Sequence, residues 1–230
     1  FHRSIAESQR RVLDLATLDE ETAAACFYSL PRGGKPIEGP SIRFAEIVAS
    51  AWGNLHCGAR DLGADDKWVH AQGVAWDLES NNRFFIEVSR RITDKYGRRF
   101  NDDMIGVTTA AAISIALRNV IFRAVPFALV KRAYDEARLT AIGKALTMEQ
   151  RRAKAIELFA KMGVTSDRDL AAVERKGIED LATEDLMELR GLFTAIKDGQ
   201  TTIEEAFPAT AKPEEKAPLK TLGDLKAAEG

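Results

Sequence analysis

From Asn101 to Ala124 the chain has almost no polar face. Ile105, Val107, Ala111, Ala112, Ile113, Ile115, Ala116, Leu117, Val120 and Ile121 are spread around the whole circumference that a helical repeat would trace. Asn101-Asp102-Asp103 offers an N-cap and an acidic first turn, so a helix is predicted from about 103 to 124. A helix that is apolar on nearly every side is expected to be buried on most of its surface. Arg118, Asn119 and Arg123 interrupt it late. Arginines on an otherwise buried helix are expensive unless they pair or reach a surface. Pro126 marks a kink or restart, beyond which residues 127–146 continue helically.

The material to cover that helix stands immediately before it. Trp68, His70, Gln72, Val74, Trp76 and Leu78 alternate with Val69, Ala71, Gly73, Ala75 and Asp77. Phe84, Ile86 and Val88 then alternate with Phe85, Glu87 and Ser89. A period of two in β-branched and aromatic segments predicts strands. Glu79-Ser80-Asn81-Asn82 supplies the turn, so the two should pair as an antiparallel hairpin. A further strand is predicted around Leu55–Asp61. The predicted fold class is therefore α+β: a three-stranded antiparallel sheet packed on a long apolar helix, a β-β-β-α core.

Helices flank this core. Residues 4–26 read as one helix, with Ile5, Val12, Leu15 and Leu18 among its apolar positions. The punctuated stretch 30–36 reads as a loop, and Gly39-Pro40-Ser41 opens a helix that runs to about Ala51. From about residue 148 the character changes. Residues 148–162 form an amphipathic helix around Ala155, Ile156, Leu158, Phe159 and Met162, ended by Gly163. Short helices follow at about 167–175 and 182–198, the last stopped by Gly199. Three parts are predicted: a core over 1–146, a small helical C-terminal appendage over 147–207, and a flexible tail over 208–230. The tail is rich in Ala, Lys, Glu and Pro and carries a weak helical echo near 219–228.

Charge and motif content narrow the chemistry. The net charge is -2; the first 140 residues hold 19 Lys+Arg against 18 Asp+Glu and the remainder 14 against 17. A nucleic-acid site must then be a local patch, because the whole-chain field is not positive. Cys26 and Cys57 lie far apart and read as reduced thiols, and His2, His56 and His70 are too scattered for a zinc cluster. Gly33-Gly34-Lys35 is followed by Pro36 and preceded by no strand, unlike a phosphate-binding loop. Asp77 and Glu87 flank the hairpin but need not converge, and Ser89 stands where a common nuclease motif has Lys. No Ser-His-Asp or Cys-His signature is local, and His70 beside Trp68 reads as a packed strand histidine. The expectation is a protein that is not an enzyme and takes no cofactor or metal. No apolar run approaches the roughly 20 residues that span a bilayer, and no basic-then-apolar leader is visible, so a cytoplasmic protein without a membrane partner is expected.

What remains is a basic cluster at the end of the predicted sheet. Arg83, Arg90, Arg91, Lys95, Arg98 and Arg99 face only Glu87 and Asp94 between them, with Tyr96 inside the loop. Single-strand binders combine a positive groove with aromatic or guanidinium planes that stack on bases. A solvated loop held by surface ion pairs would use the same residues. Arg118 and Arg123 would either line a groove or form salt bridges between subunits. Trp52, at the end of an apolar helix, is a base stacker if exposed and a core residue otherwise.

The order of helix, three strands, basic loop and long apolar helix resembles the core of the recombination annealing superfamily, which includes RecT, Redβ, Erf and the eukaryotic annealing mediator. In more detail, Pro31 through Glu46, Ala51 through Leu55 and Val74–Glu79 resemble segments of a phage group, as do Leu189 through Gly199 and Glu204 through Phe207. The resemblance spans residues 1–207. It implies an ATP-independent protein of phage homologous recombination in the bacterial host cytoplasm. Such a protein binds single-stranded DNA and anneals complementary strands into duplex DNA, acting as a homo-oligomeric ring or helical filament. It puts Arg43, Arg90, Arg91, Lys95, Tyr96, Arg98, Arg99, Arg118 and Arg123 on the DNA. The acidic region 148–207 would then dock a single-strand binding protein or an exonuclease, with plain dimerisation or packing as the other reading. The competing function is a structural or regulatory phage assembly protein with solvated basic loops.

Overall fold

The computed structural model describes residues 2–30, 36–198 and 200–207. Most of the loop predicted over 30–36, the helix stop at Gly199 and the tail 208–230 lie outside the described residues. The predicted helix over 4–26 is two helices. The Ser4 side chain accepts from the Glu7 N–H to start α1 (Ile5–Ala16), and the Asp19 side chain accepts from the Thr22 N–H to start α2 (Glu20–Ala25). A short acidic side chain that bonds the backbone ahead of it competes with an unbroken helix, and periodicity alone does not register this. β1 (Phe27–Leu30) and β2 (Ile37–Pro40) pair antiparallel, Phe27 opposite Pro40, where only a loop and a helix start were expected. Ser41 then caps α3 (Ile42–Trp52), accepting from Phe44 N–H and donating to the Ala25 carbonyl oxygen.

Gly53 (φ 70) and Asn54 (φ 49) turn the chain into β3 (Leu55–Ala64), which pairs with β4 (Trp68–Asp77), and β4 pairs with β5 (Asn82–Arg91), both antiparallel. The sheet order is β3-β4-β5. α4 (Asp102–Ala124) lies across one face of this sheet, capped by the Asn101 side chain on Met104 N–H. Val69, Ala71, Gly73, Ala75 and Asp77 point to that face and are buried. A Cβ on Gly73 would sit 2.3 Å from the Ala116 carbonyl oxygen, so only glycine lets helix and sheet come this close. The fold is thus mixed α+β, with the antiparallel sheet on a long apolar helix as its centre.

One expectation about α4 fails. Only Ala112, Ala116, Val120 and Ile121 of the helix are buried, while Met104 is 47% and Val107 59% exposed. A sheet covers one side of a helix. Among the described residues, no second layer covers the far side of the first half of α4, so Met104 and Val107 stay at the surface. The helix is also, by length and composition alone, long and apolar enough to cross a bilayer, although no unbroken apolar run in the sequence suggested it. Its second half enters a helical core through Ile121, joined by Phe44, Val48 and Ala137.

α5 (Phe127–Ala141) restarts after Pro126 and stops at Ala141, ahead of Gly143 (φ 81), several residues short of the predicted end. A second cluster follows from α6 (Met148–Ala160), α7 (Ser166–Ala172), a 3-10 turn at Ile178–Asp180, α8 (Thr183–Lys197) and α9 (Ile203–Ala206). Phe159 is its centre, with the rings of Phe207 and Phe193 at 5.0 and 6.0 Å. This cluster is fastened to the N-terminal part. Gly191 of α8 lies against β1, Thr194 Oγ1 donates to the Ala24 carbonyl at 3.0 Å, and Lys197 and Lys154 pair with Glu21 and Glu20 of α2.

Arg3 ties the sheet to the N-terminus, its backbone N–H donating to the Glu79 carboxylate at the β4–β5 turn (3.0 and 2.9 Å) and its side chain reaching Asp77. Arg3 donates to both carboxylate oxygens of Asp77 (2.9 and 2.8 Å) and to the carbonyls of Trp52 and Gly53, with its guanidinium 4.5 Å from the Trp52 ring centroid. Both side chains are nearly buried. Arg3 holds the Asp77 carboxyl below its ordinary value. Arg3→Ala strands a desolvated carboxylate, so urea denaturation should show a loss of about 3 kcal/mol, and Arg3→Ala combined with Asp77→Asn should recover part of it.

Asp169 in α7 is fully buried, and neither carboxylate oxygen has a hydrogen-bond partner among the described residues. Burial pushes its pKa up to about 7, with Arg168 pulling weakly the other way. Its folded value lies above its unfolded one, so the contribution it makes is complete below the unfolded value and is lost as pH rises through about 7. Thermal melts at pH 5 and pH 8 should therefore differ more for the wild type than for Asp169→Asn.

Candidate nucleic-acid interface

The loop after β5 is locked by its own backbone. Thr93 and Arg99 form an antiparallel bridge, and Asp94 N–H donates to the Arg98 carbonyl at 2.9 Å. The Asp94 carboxylate accepts from Tyr96 N–H (2.8 Å), Arg98 N–H (2.9 Å) and Arg98 Nε (2.8 Å). These bonds, the Arg98 N–H first, hold Asp94 below the usual carboxylate range. Gly97 takes the left-handed conformation (φ 84) that the tight turn needs. The result is a turn that exposes Tyr96 (72%), with the Lys95 ammonium 5.0 Å and the Arg98 guanidinium 5.4 Å from its ring centroid.

Neighbouring cations gather at the same end of the sheet. Arg99 Nη1 donates to the Asp65 carbonyl at 2.6 Å and ties the loop to the β3–β4 turn. Arg91 Nε donates to Thr93 Oγ1 at 2.7 Å, and Arg90 and Arg91 are exposed at the end of β5. Lys67 of the β3–β4 turn stands with them, its carbonyl accepting from Ile92 N–H; no motif in the sequence marked it. Carboxylates stand in the same segments: Asp65 and Asp66 in the β3–β4 turn, Asp94 in the loop, and Asp102 and Asp103 in the first turn of α4 that follows it. Asp65 is engaged, accepting from Lys67 and Trp68 N–H at 2.7 Å each, and lies below its ordinary value for that reason.

Lys95, Tyr96, Arg98 and Arg99 share the loop, and Arg91, opposite Trp68, stands beside it on the open face of the sheet; Arg90, opposite Val69, is turned to the α4 side, and the other candidates lie farther away. Arg83 pairs opposite Trp76, at the far end of β5, eight residues and about 26 Å from Arg91. Arg118 lies about 24 Å along α4 from its start, its guanidinium 5.3 Å from the Tyr28 ring and its Nε on Asn119 Oδ1. Arg123 is exposed in the last turn of the same helix. Arg43 of α3 forms a surface pair with Glu46 at 3.0 Å. Trp52 is buried beneath Arg3, which removes it as a base stacker and fits the core reading.

The other face of the sheet has a character that the period-two pattern did not assign. α4 covers the Ala71, Gly73 and Ala75 side, so the Trp68, His70, Gln72, Val74 and Trp76 side is left open. On it, Trp68 is 40% and Phe85 53% exposed, and Arg83 lies over Trp76 at 4.4 Å. A polar row crosses it: Arg60 Nη2 donates to Gln72 Oε1 (3.1 Å), and Gln72 Nε2 donates to Glu87 Oε1 (3.5 Å). His70 is half-exposed on this face, not packed as expected, with Nδ1 2.8 Å from Ser89 Oγ and Nε2 3.3 Å from Asp65 Oδ2. A strand this close to a helix turns its small residues inward and leaves the large ones outside. Asp77 and Glu87 sit on opposite faces of the sheet and cannot share a ligand.

Compared with known proteins, the chain matches no family model, no curated protein and no solved structure.

The loop's order depends on Asp94. Asp94→Ala should accelerate amide exchange at Tyr96 and Arg98 by at least about tenfold while exchange across β4 stays unchanged, as hydrogen-exchange measurements would show.

Proposed function

We propose that this chain binds single-stranded DNA and anneals complementary strands without nucleotide hydrolysis or any other bond chemistry, as a self-associating protein of phage homologous recombination. The observation that supports this best is an exposed tyrosine on a backbone-locked turn with cations about it: Lys95 and Arg98 over the Tyr96 ring, and Arg91 and Arg99 at the same end of the sheet. Lys and Arg neutralise phosphates and release counterions, so affinity comes without sequence preference and falls with salt. Tyr96 offers a face on which a base can stack. Strands held in one assembly meet at high effective concentration, which is enough to speed pairing. A subunit that grips few phosphates binds weakly alone, so self-association supplies the affinity.

The C-terminal cluster belongs to this reading as a docking module for a single-strand binding protein or an exonuclease. A second reading, a structural or regulatory assembly protein, draws on a different observation: the apolar stripe of Met104 and Val107 left bare on α4.

Fluorescence anisotropy of a labelled oligonucleotide across a salt series separates the two readings. The annealing reading expects binding at low salt and a slope of log affinity on log salt that falls by about 0.7 for each phosphate contact removed. Lys95→Ala with Arg98→Ala should therefore flatten it by about 1.4 and slow annealing of complementary strands, while Arg43→Ala leaves it unchanged. Absence of binding at low salt would sink the annealing reading.

A further inference from the structure

We infer that the open face of the β3-β4-β5 sheet is a base-stacking track, along which unpaired bases of a single DNA strand lie against the rings of Trp68 and Phe85 and the Arg83 guanidinium that covers Trp76. The inference rests on the reading that this chain binds single-stranded DNA, and it extends that site from a phosphate grip to a surface that holds bases.

Three observations carry it. First, the rings are exposed where burial offers nothing in return. Trp68 and Phe85 are 40% and 53% exposed on a face that otherwise presents Gln72, Glu87 and Ser89. Isolated exposed rings are ordinary. These are aligned: Trp68 opens β4, Phe85 lies opposite Val74, and Trp76 lies under the Arg83 guanidinium. From Trp68 to Trp76 is eight residues of strand, about 26 Å. Indole, phenyl and guanidinium planes all stack on any base, so such a track needs no sequence.

Second, the charge suits a polyanion. Arg60, Arg83 and Arg91 share this face with Glu87 and with Asp65 of the β3–β4 turn, whose carboxylate reaches His70, so cations outnumber carboxylates. Third, the track adjoins the grip. Trp68 pairs with Arg91, and the Trp68 N–H is held by Asp65, whose own carbonyl receives Arg99. A strand with its phosphates at Lys95 and Arg98 meets Trp68 as the nearest ring on the sheet. A protein partner fits less well. The Arg60–Gln72–Glu87 row crosses the middle of the face, and a dry interface would have to desolvate it. Interfaces with nucleic acid are polar and keep their water.

The test compares two strands of equal length: an oligothymidylate of about 15 nucleotides and an abasic strand with the same phosphates. Wild-type protein should bind the thymidylate at least about tenfold more tightly, with quenching of tryptophan fluorescence that Trp68→Phe largely removes. Trp68→Ala with Phe85→Ala should abolish the preference while leaving affinity for the abasic strand unchanged. Trp68→Phe with Phe85→Tyr should restore it, which separates stacking from a folding defect. Equal affinity of the wild type for both strands overturns the track and leaves DNA binding standing. Binding of neither strand overturns the parent reading, and the track with it. Sedimentation that shows wild-type self-association lost on Phe85→Ala would assign the face to a second copy of the chain and overturn the track as well.

Discussion

Everything in the sheet's organisation follows from the approach of α4 to β4 at Gly73. The Ala116 carbonyl occupies the space where a side chain would begin, and Ala71, Ala75, Ala112 and Ala116 are small enough to let backbone lie near backbone. That contact decides which side of the sheet is covered. It also decides which is not, because the bulky members of β4 are displaced to the opposite face. The same helix then runs on into the helical core through Ile121, so one element packs on both the sheet and the helices.

Much of this was legible in the sequence, for identifiable reasons. Period two located β4 and β5 within a residue or two at each end, and the Asn101 cap and apolar run located α4. The choice of face was not legible. Hydrophobicity would favour burying Trp68, Val74 and Trp76, yet packing distance favours Ala71, Gly73 and Ala75, and only the helix in place settles the competition. The β1–β2 hairpin was missed because each strand is four residues long and flanked by Gly and Pro. The break between α1 and α2 was missed because Asp19 acts through a hydrogen bond and not through polarity.

The candidate site shows the same division. Residues of the loop, from Lys95 to Arg99, do converge, because a short closed loop cannot separate them, whereas strand alternation sends Arg90 and Arg91 to opposite faces. Arg83 and Arg118 were grouped with them by charge, and the length of a strand and of a helix takes them away. Lys67 and the open-face rings were overlooked because their proximity is a matter of pairing register, which no linear motif records. The C-terminal cluster has a hydrophobic centre of its own, yet Thr194, Lys197 and Lys154 fasten it to α2.

The loop closed by Asp94 has a kinetic consequence. Its backbone donors are already satisfied by a carboxylate of the same loop, and the bridge from Thr93 to Arg99 sets its ends. No segment there has to fold when an anion arrives. Encounter with this loop is then governed by diffusion and by the field of a few fixed cations, a regime in which ionic strength acts on the rate of arrival more than on the rate of departure.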